Sequence, residues 1–240
     1  MTPSASSSNN PAGSLSSHRV LVTGGLGQLG RAVGRVLAGR GALVVLLDQA
    51  PAADVPGMAA VLGGVDLGDE AACAAAVAEA QRLMGGLNGL VNVAGGFRWE
   101  KLDGGSLATW DAMYTTNLRS AVAASQAALP LLRAAAPAAI VNVGALAAVK
   151  AGVGMAAYAA SKAGVARLTE ALAEELKDEG IRVNAVLPSI LDTPANRANM
   201  LDADASRWVG AAQLAAVVAF LLSDDAAAVT GACLPVAGRV

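Results

Sequence analysis

The sequence predicts an α/β fold in which a doubly wound parallel sheet forms a single domain over residues 18–240. From residue 19 onwards, short apolar runs alternate with longer segments that suit helices, as in a Rossmann-type sheet. The runs are continuously apolar, which is typical of parallel strands that helices cover on both faces. The 240 residues, of which 55% are hydrophobic, can bury a large core, and α/β folds of this length commonly form one domain.

The predicted elements follow one another in a regular order. We expect strands at 19–23, 43–47, 61–65, 90–93, 138–143, 182–187 and 233–236. Helix-compatible segments lie between them near 28–39, 69–84, 107–134, 157–179 and 211–223. This repetition implies right-handed crossovers, and sheets of this kind bind ligands beyond the carboxyl ends of their strands. The loops that follow the strands should therefore carry the functional residues.

Composition and charge exclude several classes of function. A net charge of -2, with scattered basic residues, gives no electrostatic reason to expect nucleic acid or an anionic membrane as a partner. Cys73 and Cys233 lie far apart, so neither a disulfide-stapled fold nor a Cys-ligated zinc site is expected. His18 is the only histidine, which nearly excludes histidine acid–base chemistry and histidine-rich metal sites. No metal is expected.

The first 17 residues differ in composition from the rest of the chain. They are rich in Ser, Asn, Pro, Ala and Gly, without a basic start or an apolar run, so we expect a disordered tail at 1–17 rather than a signal peptide. No stretch approaches 18 uninterrupted apolar residues, so a membrane-spanning helix is not expected. These features favour a cytoplasmic protein that acts on a small molecule and has no membrane partner.

A glycine-rich turn follows the first predicted strand. Gly24 suits a tight turn with positive φ, Gly27 would let backbone N–H groups approach a pyrophosphate, and Gly30 allows close packing of helix on strand. Gln28 and Leu29 begin the helix, whose N-terminus supplies partial positive charge. The alternative is an ordinary glycine-rich turn without a ligand.

Two acidic residues follow the second and third predicted strands. Asp48 comes 18 residues after Gly30, where a carboxylate can accept hydrogen bonds from the adenosine ribose and would repel a 2′-phosphate. The expected cofactor is therefore NAD(H) in preference to NADP(H), with a solvated carboxylate as the alternative. Asp66 could accept a hydrogen bond from an adenine amino group, or could cap the helix that begins near Asp69.

Small residues follow the fourth predicted strand, at Asn92, Ala94 and Gly95. They would let the chain pass closely under a dinucleotide, although they could equally form a structural turn. The three residues are therefore candidates for cofactor binding on the same edge of the sheet as the glycine-rich turn.

Tyr158 and Lys162 lie one helical turn apart at the start of a long helical segment. A tyrosine hydroxyl has a pKa near 10, and a nearby ammonium favours the phenolate and can lower that pKa by ~1–3 units. The pair would form an acid–base group that needs no histidine. The alternative is a tyrosine at a helix start with an incidental lysine behind it.

Together these motifs resemble the short-chain dehydrogenase/reductase family over residues 19–240. The resemblance also rests on Asn117, on the strand at 181–184, and on Pro188 followed by Thr193. It implies that Asn117, Tyr158 and Lys162 form a proton relay and that Lys162 holds the nicotinamide ribose. It further implies that Thr193, near Pro188 in the cofactor site, contacts the carboxamide, and that the protein is a homodimer or homotetramer.

Three positions depart from the common family pattern. Gln28 stands where a glycine is usual, and Ser189 replaces the glycine that usually follows Pro188. Ala145 occupies the position of the family's substrate-orienting serine, and no Ser or Thr occurs from 144 to 157. Losing one such donor typically costs ~10²–10³ in rate, so the enzyme is weakened, inactive, or specific for a substrate that does not need the donor.

Segments around Phe97, Ala145 and 187–197 are similar to those of the dihydropteridine reductases within this family, which also lack the serine. That similarity favours hydride transfer from NADH to a conjugated acceptor such as quinonoid dihydropterin, since a delocalised acceptor depends less on one donor. The alternative is a general carbonyl or alcohol oxidoreductase, including reduction of 3-oxoacyl thioesters. A third hypothesis is a non-catalytic dinucleotide-binding scaffold.

Two sets of residues have open interpretations. Several large side chains are candidate pocket walls, although core packing explains them equally well: Phe97, Trp99, Met155, Met200 and Trp208. A face of small residues on the helix that carries Tyr158 could form the oligomer interface or pack within the protomer: Ala157, Ala160, Gly164 and Ala171.

Overall fold

The computed structural model describes residues 13–240 and contains a central sheet of seven parallel strands. The strands are β1 (Arg19–Thr23), β2 (Leu43–Leu47), β3 (Ala60–Leu62), β4 (Gly89–Asn92), β5 (Ala138–Val143), β6 (Ile181–Pro188) and β9 (Cys233–Val236). Their order across the sheet is β3-β2-β1-β4-β5-β6-β9, so the chain first winds outwards to β3 and then crosses back to extend the other edge. This is the predicted doubly wound, Rossmann-type arrangement in a single domain.

Helices cover both faces of the sheet. They are α1 (Gln28–Gly39), α2 (Glu70–Met84), α3 (Leu107–Met113), α4 (Ser120–Ala134), α5 (Ala156–Leu176), α6 (Pro194–Asn199) and α7 (Ala211–Leu222). Buried side chains of α1 and α7 form one core on one face, while those of α2, α4 and α5 form a second core on the other.

Successive side chains along each strand pack alternately into these two cores, with a period of two residues. In β1, Val20 and Val22 pack with α1 and α7, whereas Leu21 between them packs on the opposite face. In β2, Val44 packs into the core beside α1 and α7, whereas Val45 packs into the opposite core. Both sides of each strand are therefore apolar because both are buried, which explains the continuous apolar runs in the sequence.

The structure differs from the predicted elements in a few places. The strand predicted at 61–65 ends at Leu62, because the chain turns at Gly64, whose φ is 74°. The helix predicted at 107–134 is interrupted by a π-helix at Tyr114–Arg119. Three short elements were not predicted: α6 and a separate parallel pair of strands, β7 (Leu191–Asp192) and β8 (Val209–Gly210).

The predicted tail at 1–17 is too long at its carboxyl end. Leu15 is fully buried in the core beside α1, and its N–H donates to the Arg40 carbonyl at 2.9 Å. The side chain of His18 is also buried, with Nε2 3.1 Å from the Leu222 carbonyl oxygen. Residues 13–17 thus belong to the folded domain, while residues 1–12 of the predicted tail lie outside the described residues.

Residues 13–240 contain neither a candidate membrane span nor a candidate metal cluster. None of the helices there combines the length and the apolar character needed to cross a membrane. In the same part of the chain, no group of three or more His, Cys, Asp and Glu side chains is arranged to hold a metal ion.

Candidate active site

A cleft of about 1330 Å³ opens at the carboxyl ends of the central strands. Most of the predicted site residues line it: Gly24, Gly27, Gln28, Leu29, Gly30, Asp48, Asp66, Ala94, Gly95, Tyr158, Lys162 and Pro188. Asn92, Asn117 and Thr193 are not among the lining residues. The parallel topology therefore brings together, at one edge of the sheet, residues that lie more than a hundred positions apart in sequence.

The glycine-rich turn is packed too closely for side chains at two of its positions. Gly24 has a φ of 61°, and a Cβ there would lie 2.8 Å from the Ala94 Cα. A Cβ on Gly30 would overlap the Gly24 carbonyl oxygen. The hydroxyl of Thr23 accepts hydrogen bonds from the N–H groups of Val93 and Ala94, at 3.1 and 3.2 Å. The turn after β1 and the segment after β4 are thereby held against each other.

The N-terminus of α1 faces the cleft without a capping side chain. Gly27 is the N-cap residue and has no side chain that could bond to the first turn, and the turn contains no acidic residue. By contrast, Asp69 caps α2 and Ser106 caps α3. Backbone N–H groups at an uncapped helix start are suited to bind a phosphate anion. The turn therefore fits the pyrophosphate of a dinucleotide.

Asp48 is held at the mouth of the turn by two backbone hydrogen bonds. Its Oδ2 accepts from the Leu26 N–H at 2.8 Å and its Oδ1 from the Ala50 N–H at 2.9 Å. A carboxylate fixed at this position is a fixed negative charge beside the expected adenosine ribose. It would attract ribose hydroxyls and repel a 2′-phosphate.

Asp66 does not cap the helix that follows β3. Its Oδ1 accepts from the Gly68 N–H at 2.8 Å, whereas Asp69 accepts from the N–H groups of Ala71 and Ala72 and is the N-cap of α2. The capping alternative for Asp66 was therefore wrong. Asp66 lines the cleft, where its second carboxyl oxygen can accept a hydrogen bond from a ligand.

The side chain of Asn92 is buried in the protein rather than in the cleft. Its amide donates to the Ser125 hydroxyl at 3.1 Å and to Oδ1 of Asn142 at 2.9 Å. These bonds tie β4 to α4 and β5, so the contribution of Asn92 to the site is to fix the carboxyl end of β4. Ala94 and Gly95, which follow, line the cleft with their backbone.

Tyr158 and Lys162 lie on the first turns of α5, as the spacing predicts. Lys162 is only 4% exposed, and its Nζ donates to the carbonyl of Val143, the last residue of β5, at 2.8 Å. A Cβ on Gly95 would lie 3.2 Å from this Nζ. The lysine head group is therefore fixed between the ends of β4 and β5, at the floor of the cleft.

The pKa values of this pair differ from the expectation. Burial raises the pKa of Tyr158, whereas the sequence predicted that Lys162 would lower it. Burial also lowers the pKa of Lys162 to about 8. The physical reason is that both groups lie in a low-dielectric environment that disfavours their charged forms. Tyr158 is therefore a neutral phenol at neutral pH, with a proton to donate.

Asn117 lies in the π-helix and is buried behind the cleft. Its Oδ1 accepts from the Gly96 N–H at 2.9 Å, and its Nδ2 donates to the Gly96 carbonyl at 3.0 Å. The same Nδ2 lies 3.0 Å from the hydroxyl of Ser161, between Tyr158 and Lys162 on α5. The side chain thus links the loop after β4 to the helix that carries the pair. π-helical turns are frequent at functional sites.

Phe97, which could equally have been a pocket wall or a core residue, is a site residue. Its ring lies edge-on to the Tyr158 ring, with centroids 4.9 Å apart and planes at 87°, and it is 54% exposed in the cleft. Met155 and Met200 also line the cleft. Trp99 and Trp208 do not: Trp99 packs against Gly154, and Trp208 is buried.

Ala145 lines the cleft with its methyl group and is 4% exposed. Two hydroxyls of the cleft lining already donate to backbone carbonyls, Ser120 to Thr116 at 2.7 Å and Ser189 to Ala237 at 2.6 Å. Neither replaces the absent donor in this conformation. Thr115 and Thr116 also line the cleft, but the position at which the family pattern places a hydroxyl is occupied by Ala145.

Pro188 and Thr193 lie on either side of a short turn after β6. Pro188 ends the strand and lines the cleft. The Thr193 hydroxyl accepts from the Asn196 N–H at 3.2 Å and caps α6. In this conformation Thr193 is a structural cap, which places α6 beside the cleft.

The small-residue face of α5 is divided between two environments. A Cβ on Gly164 would lie 2.5 Å from Leu118 Cδ2, so this glycine serves packing within the protomer. Ala157 is buried, whereas Ala160 and Ala171 are exposed. Part of the face is consequently still available to a second copy of the chain.

A family profile and individual known proteins that are similar to this chain all describe dehydrogenases. Residues 18–204 match the profile of the short chain dehydrogenase family. A 2-(S)-hydroxypropyl-CoM dehydrogenase of Xanthobacter autotrophicus is 32% identical, with 91% of this chain and 94% of the relative covered. A 4-formylbenzenesulfonate dehydrogenase of Comamonas testosteroni is 34% identical, with 91% and 95% covered.

Two solved structures have the same fold. A 3-ketoacyl-(acyl-carrier-protein) reductase from Brucella melitensis complexed with NADH is 28% identical with a TM-score of 0.84, covering 94% of this chain and 99% of its own. A short chain dehydrogenase from Burkholderia cenocepacia in complex with NADP is 32% identical with a TM-score of 0.83, covering 93% and 98%. The chain belongs to the short-chain dehydrogenase/reductase family and is a nicotinamide-dependent oxidoreductase.

Proposed function

We propose that the chain interconverts a compact carbonyl compound and its alcohol with NAD(H), using Tyr158 as the proton donor and acceptor. One observation carries the proposal: Tyr158 and Lys162 share a cleft with an uncapped helix N-terminus that fits a pyrophosphate. A dinucleotide bound there supplies or accepts the hydride. One relative is named as a dehydrogenase of a hydroxypropyl compound, and this name supports oxidation of an alcohol to a carbonyl over the conjugated acceptor favoured by the sequence.

The preference for NAD(H) over NADP(H) rests on Asp48. Its carboxylate is held 2.8 Å from the Leu26 N–H, within the turn that would bind the phosphates. A 2′-phosphate at this position would meet a fixed like charge, and like-charge juxtaposition costs several kcal/mol. The solved relatives include one complex with NADH and one with NADP, so the proposed preference follows from Asp48 and not from membership of the family.

Tyr158 would complete the reduction of a carbonyl group. As a hydride adds to the carbonyl carbon, the C=O π electrons move to oxygen, and the phenolic proton of Tyr158 passes to that oxygen to give the alcohol. In the reverse direction the phenolate accepts the alcohol proton. Because burial raises the pKa of Tyr158, the free enzyme is poised for the reductive direction at neutral pH.

Lys162 would bind the cofactor, whereas Asn117 would position a loop of the site. Nζ of Lys162 uses one hydrogen bond on the Val143 carbonyl, which leaves two N–H groups for ribose hydroxyls. Asn117 holds Gly96 by two hydrogen bonds and so fixes the loop that carries Phe97. A role for Asn117 in proton relay would require its backbone or a bound water, because its side chain is occupied.

A conjugated acceptor such as quinonoid dihydropterin is the second candidate, and Ala145 favours it. Hydride transfer to a ketone concentrates negative charge on one oxygen, which a hydroxyl at this position would stabilise. A delocalised ring spreads the charge and depends less on such a donor. The exposed face of Phe97 would also stack on a planar ring.

The test is a substrate panel followed by loss of NADH absorbance, with ketones, aldehydes, quinones and quinonoid pterin, and with NADPH in parallel. We expect turnover of carbonyl compounds with NADH. Tyr158→Phe should abolish turnover while NADH binding, measured by calorimetry, is retained. Tight NADH binding without turnover of any substrate would instead favour the non-catalytic scaffold.

We also infer that the protein forms a homodimer or homotetramer through the exposed part of the small-residue face, at Ala160 and Ala171. Light scattering after size-exclusion chromatography tests the assembly, and Ala171→Arg should disrupt it. A monomeric wild-type protein would contradict the inference. The cytoplasmic location stays a prediction from composition.

A further inference from the structure

The substrate end of the cleft is walled largely by apolar side chains. Leu146 and Val149 come from the loop between β5 and α5, Met155 from the end of that loop, and Phe97 from the loop after β4. Ala145 adds only a methyl group. A molecule that fills this part of the cleft should therefore have an apolar body.

Formal charges in the cleft are few and unevenly placed. Among the described residues that line it, these are Asp48, Asp66, Lys150 and Lys162. Both carboxylates lie on the side expected to bind adenosine, where each accepts backbone N–H groups. Lys162 is buried and bonded to a backbone carbonyl. Lys150 is the cation left on the substrate side.

Lys150 has no charged partner of its own. No ion pair within residues 13–240 includes it. Its backbone N–H lies 3.3 Å from the Leu146 carbonyl oxygen, which fixes the chain direction at the end of a short 3-10 turn. The residue lies five positions after Ala145 and eight before Tyr158, on the loop that joins them. The backbone of an exposed lysine is thus held at the rim of an apolar wall.

We infer that Lys150 binds a carboxylate or sulfonate group of the substrate, and so selects carbonyl compounds with a negative charge remote from the reacting carbon. The inference rests on the proposed function, because it assigns the substrate class of the same cleft. An apolar substrate body would exclude water from the space beside Lys150, and an ion pair is stronger where water is excluded than at a fully exposed surface.

The experiment compares two substrates that differ in charge, 4-formylbenzoate and methyl 4-formylbenzoate. We expect the wild-type enzyme to favour the acid in kcat/KM by about tenfold, since a charge-assisted hydrogen bond contributes roughly this factor. Lys150→Gln should remove most of that ratio through KM, and Lys150→Glu should reverse it. Lys101→Gln, which removes an exposed lysine outside the cleft, should leave the ratio unchanged.

A binding measurement keeps the inference testable without turnover. Calorimetry with 4-methylbenzoate and 4-methylbenzamide, with and without NADH, should show tighter binding of the anion to wild type and loss of that preference in Lys150→Gln. If both benzaldehydes are reduced without a preference, the inference is wrong and the proposed function stands. If neither is reduced but the anion preference depends on Lys150, the inference stands and the proposed function is contradicted. Equal binding in wild type and Lys150→Gln would overturn the inference.

Discussion

The Nζ atom of Lys162 lies 2.8 Å from the carbonyl oxygen of Val143, and this hydrogen bond fixes the lysine head group at the floor of the cleft. Val143 ends β5, and Lys162 lies one helical turn after Tyr158 on α5. A buried ammonium is costly unless it is well solvated by protein dipoles. The single carbonyl offsets part of that cost, so burial still lowers the pKa of Lys162 to about 8.

This pKa predicts the pH dependence of carbonyl reduction. The folded-state pKa is depressed, so the charged form of Lys162 predominates below about pH 8 and is lost as the pH rises through that value. Tyr158 stays protonated over the same range, because burial raises its pKa. We expect kcat/KM for reduction to fall with a limiting slope of about -1 per pH unit above the pKa.

Initial rates with NADH held constant from pH 6 to 10 would measure this profile, those limits being about two units on either side of the Lys162 pKa. The control is NADH affinity over the same range, which separates loss of binding from loss of proton transfer. A rate that stays level up to pH 10, about the unperturbed pKa of tyrosine, would contradict the role of the ammonium.

The same burial predicts that Lys162→Met stabilises the fold at neutral pH. A pKa lowered from 10.5 to about 8 corresponds to about 3 kcal/mol of destabilisation at pH 7, where both folded and unfolded states are protonated. Loss of the Val143 hydrogen bond offsets part of this, so we expect a net gain of about 1–2 kcal/mol in the free energy of unfolding.

The difference in stability between wild type and Lys162→Met changes with pH, because the folded and unfolded states bind protons with different pKa values. Between about pH 8 and 10.5 the unfolded lysine is protonated and the folded one is neutral, so wild-type stability rises with pH relative to the variant. Urea unfolding of both proteins at pH 7 and 9.5 measures the difference, which should shrink at about pH 9.5. Lys101→Met, at an exposed lysine, serves as the control and should show no such convergence.

Replacing Asp48 tests the choice of cofactor. Asp48→Ser removes the carboxylate beside the expected 2′-position, and we expect kcat/KM with NADPH to rise by about tenfold or more while that with NADH falls. Asp66→Ser removes a second carboxylate from the same end of the cleft and is the matched control. It should weaken both cofactors to a similar degree; an equal shift of the NADPH to NADH ratio in both variants would refute the assignment to Asp48.

Sequence reasoning succeeded where the signal was local. The strands were predictable because residues such as Val20 and Leu21 are buried on opposite faces, which leaves no polar positions in the run. The glycine turn was predictable because positive φ at Gly24 and close packing at Gly30 require glycine within a few residues. The spacing of Tyr158 and Lys162 was likewise enough to place both on one helical face.

The remaining features depend on contacts between distant parts of the chain. Whether residues 114–119 form an α- or a π-helix depends on hydrogen-bond register, which composition does not reveal. The hydrogen bond between the Gly96 N–H and the Asn117 side chain joins residues that are 21 positions apart. The pKa of Tyr158 could not be predicted from spacing, because it is raised by burial of the phenol, which depends on packing around the cleft.

Ala145→Ser distinguishes the two candidate reactions. Ala145 lines the same cleft as Tyr158 and is almost fully buried, so we expect the hydroxyl of a serine at this position to lie in the cleft beside the substrate. If the natural substrate is a ketone or aldehyde reduced without this donor, the added hydroxyl should raise kcat by about tenfold or more, since one such donor is typically worth ~10²–10³ when it is well placed. A conjugated acceptor should gain little, because its charge is spread over the ring.

The measurement is kcat and KM for wild type and Ala145→Ser with a simple ketone and with quinonoid dihydropterin. Ala145→Cys, similar in size to serine but a weaker hydrogen-bond donor, controls for the change in volume. A gain with the ketone in the serine variant alone would indicate a carbonyl reductase that lacks a donor it can use. An unchanged ketone rate, together with efficient reduction of the pterin by wild type, would instead mean that the alanine suits a delocalised acceptor and that the carbonyl proposal is wrong.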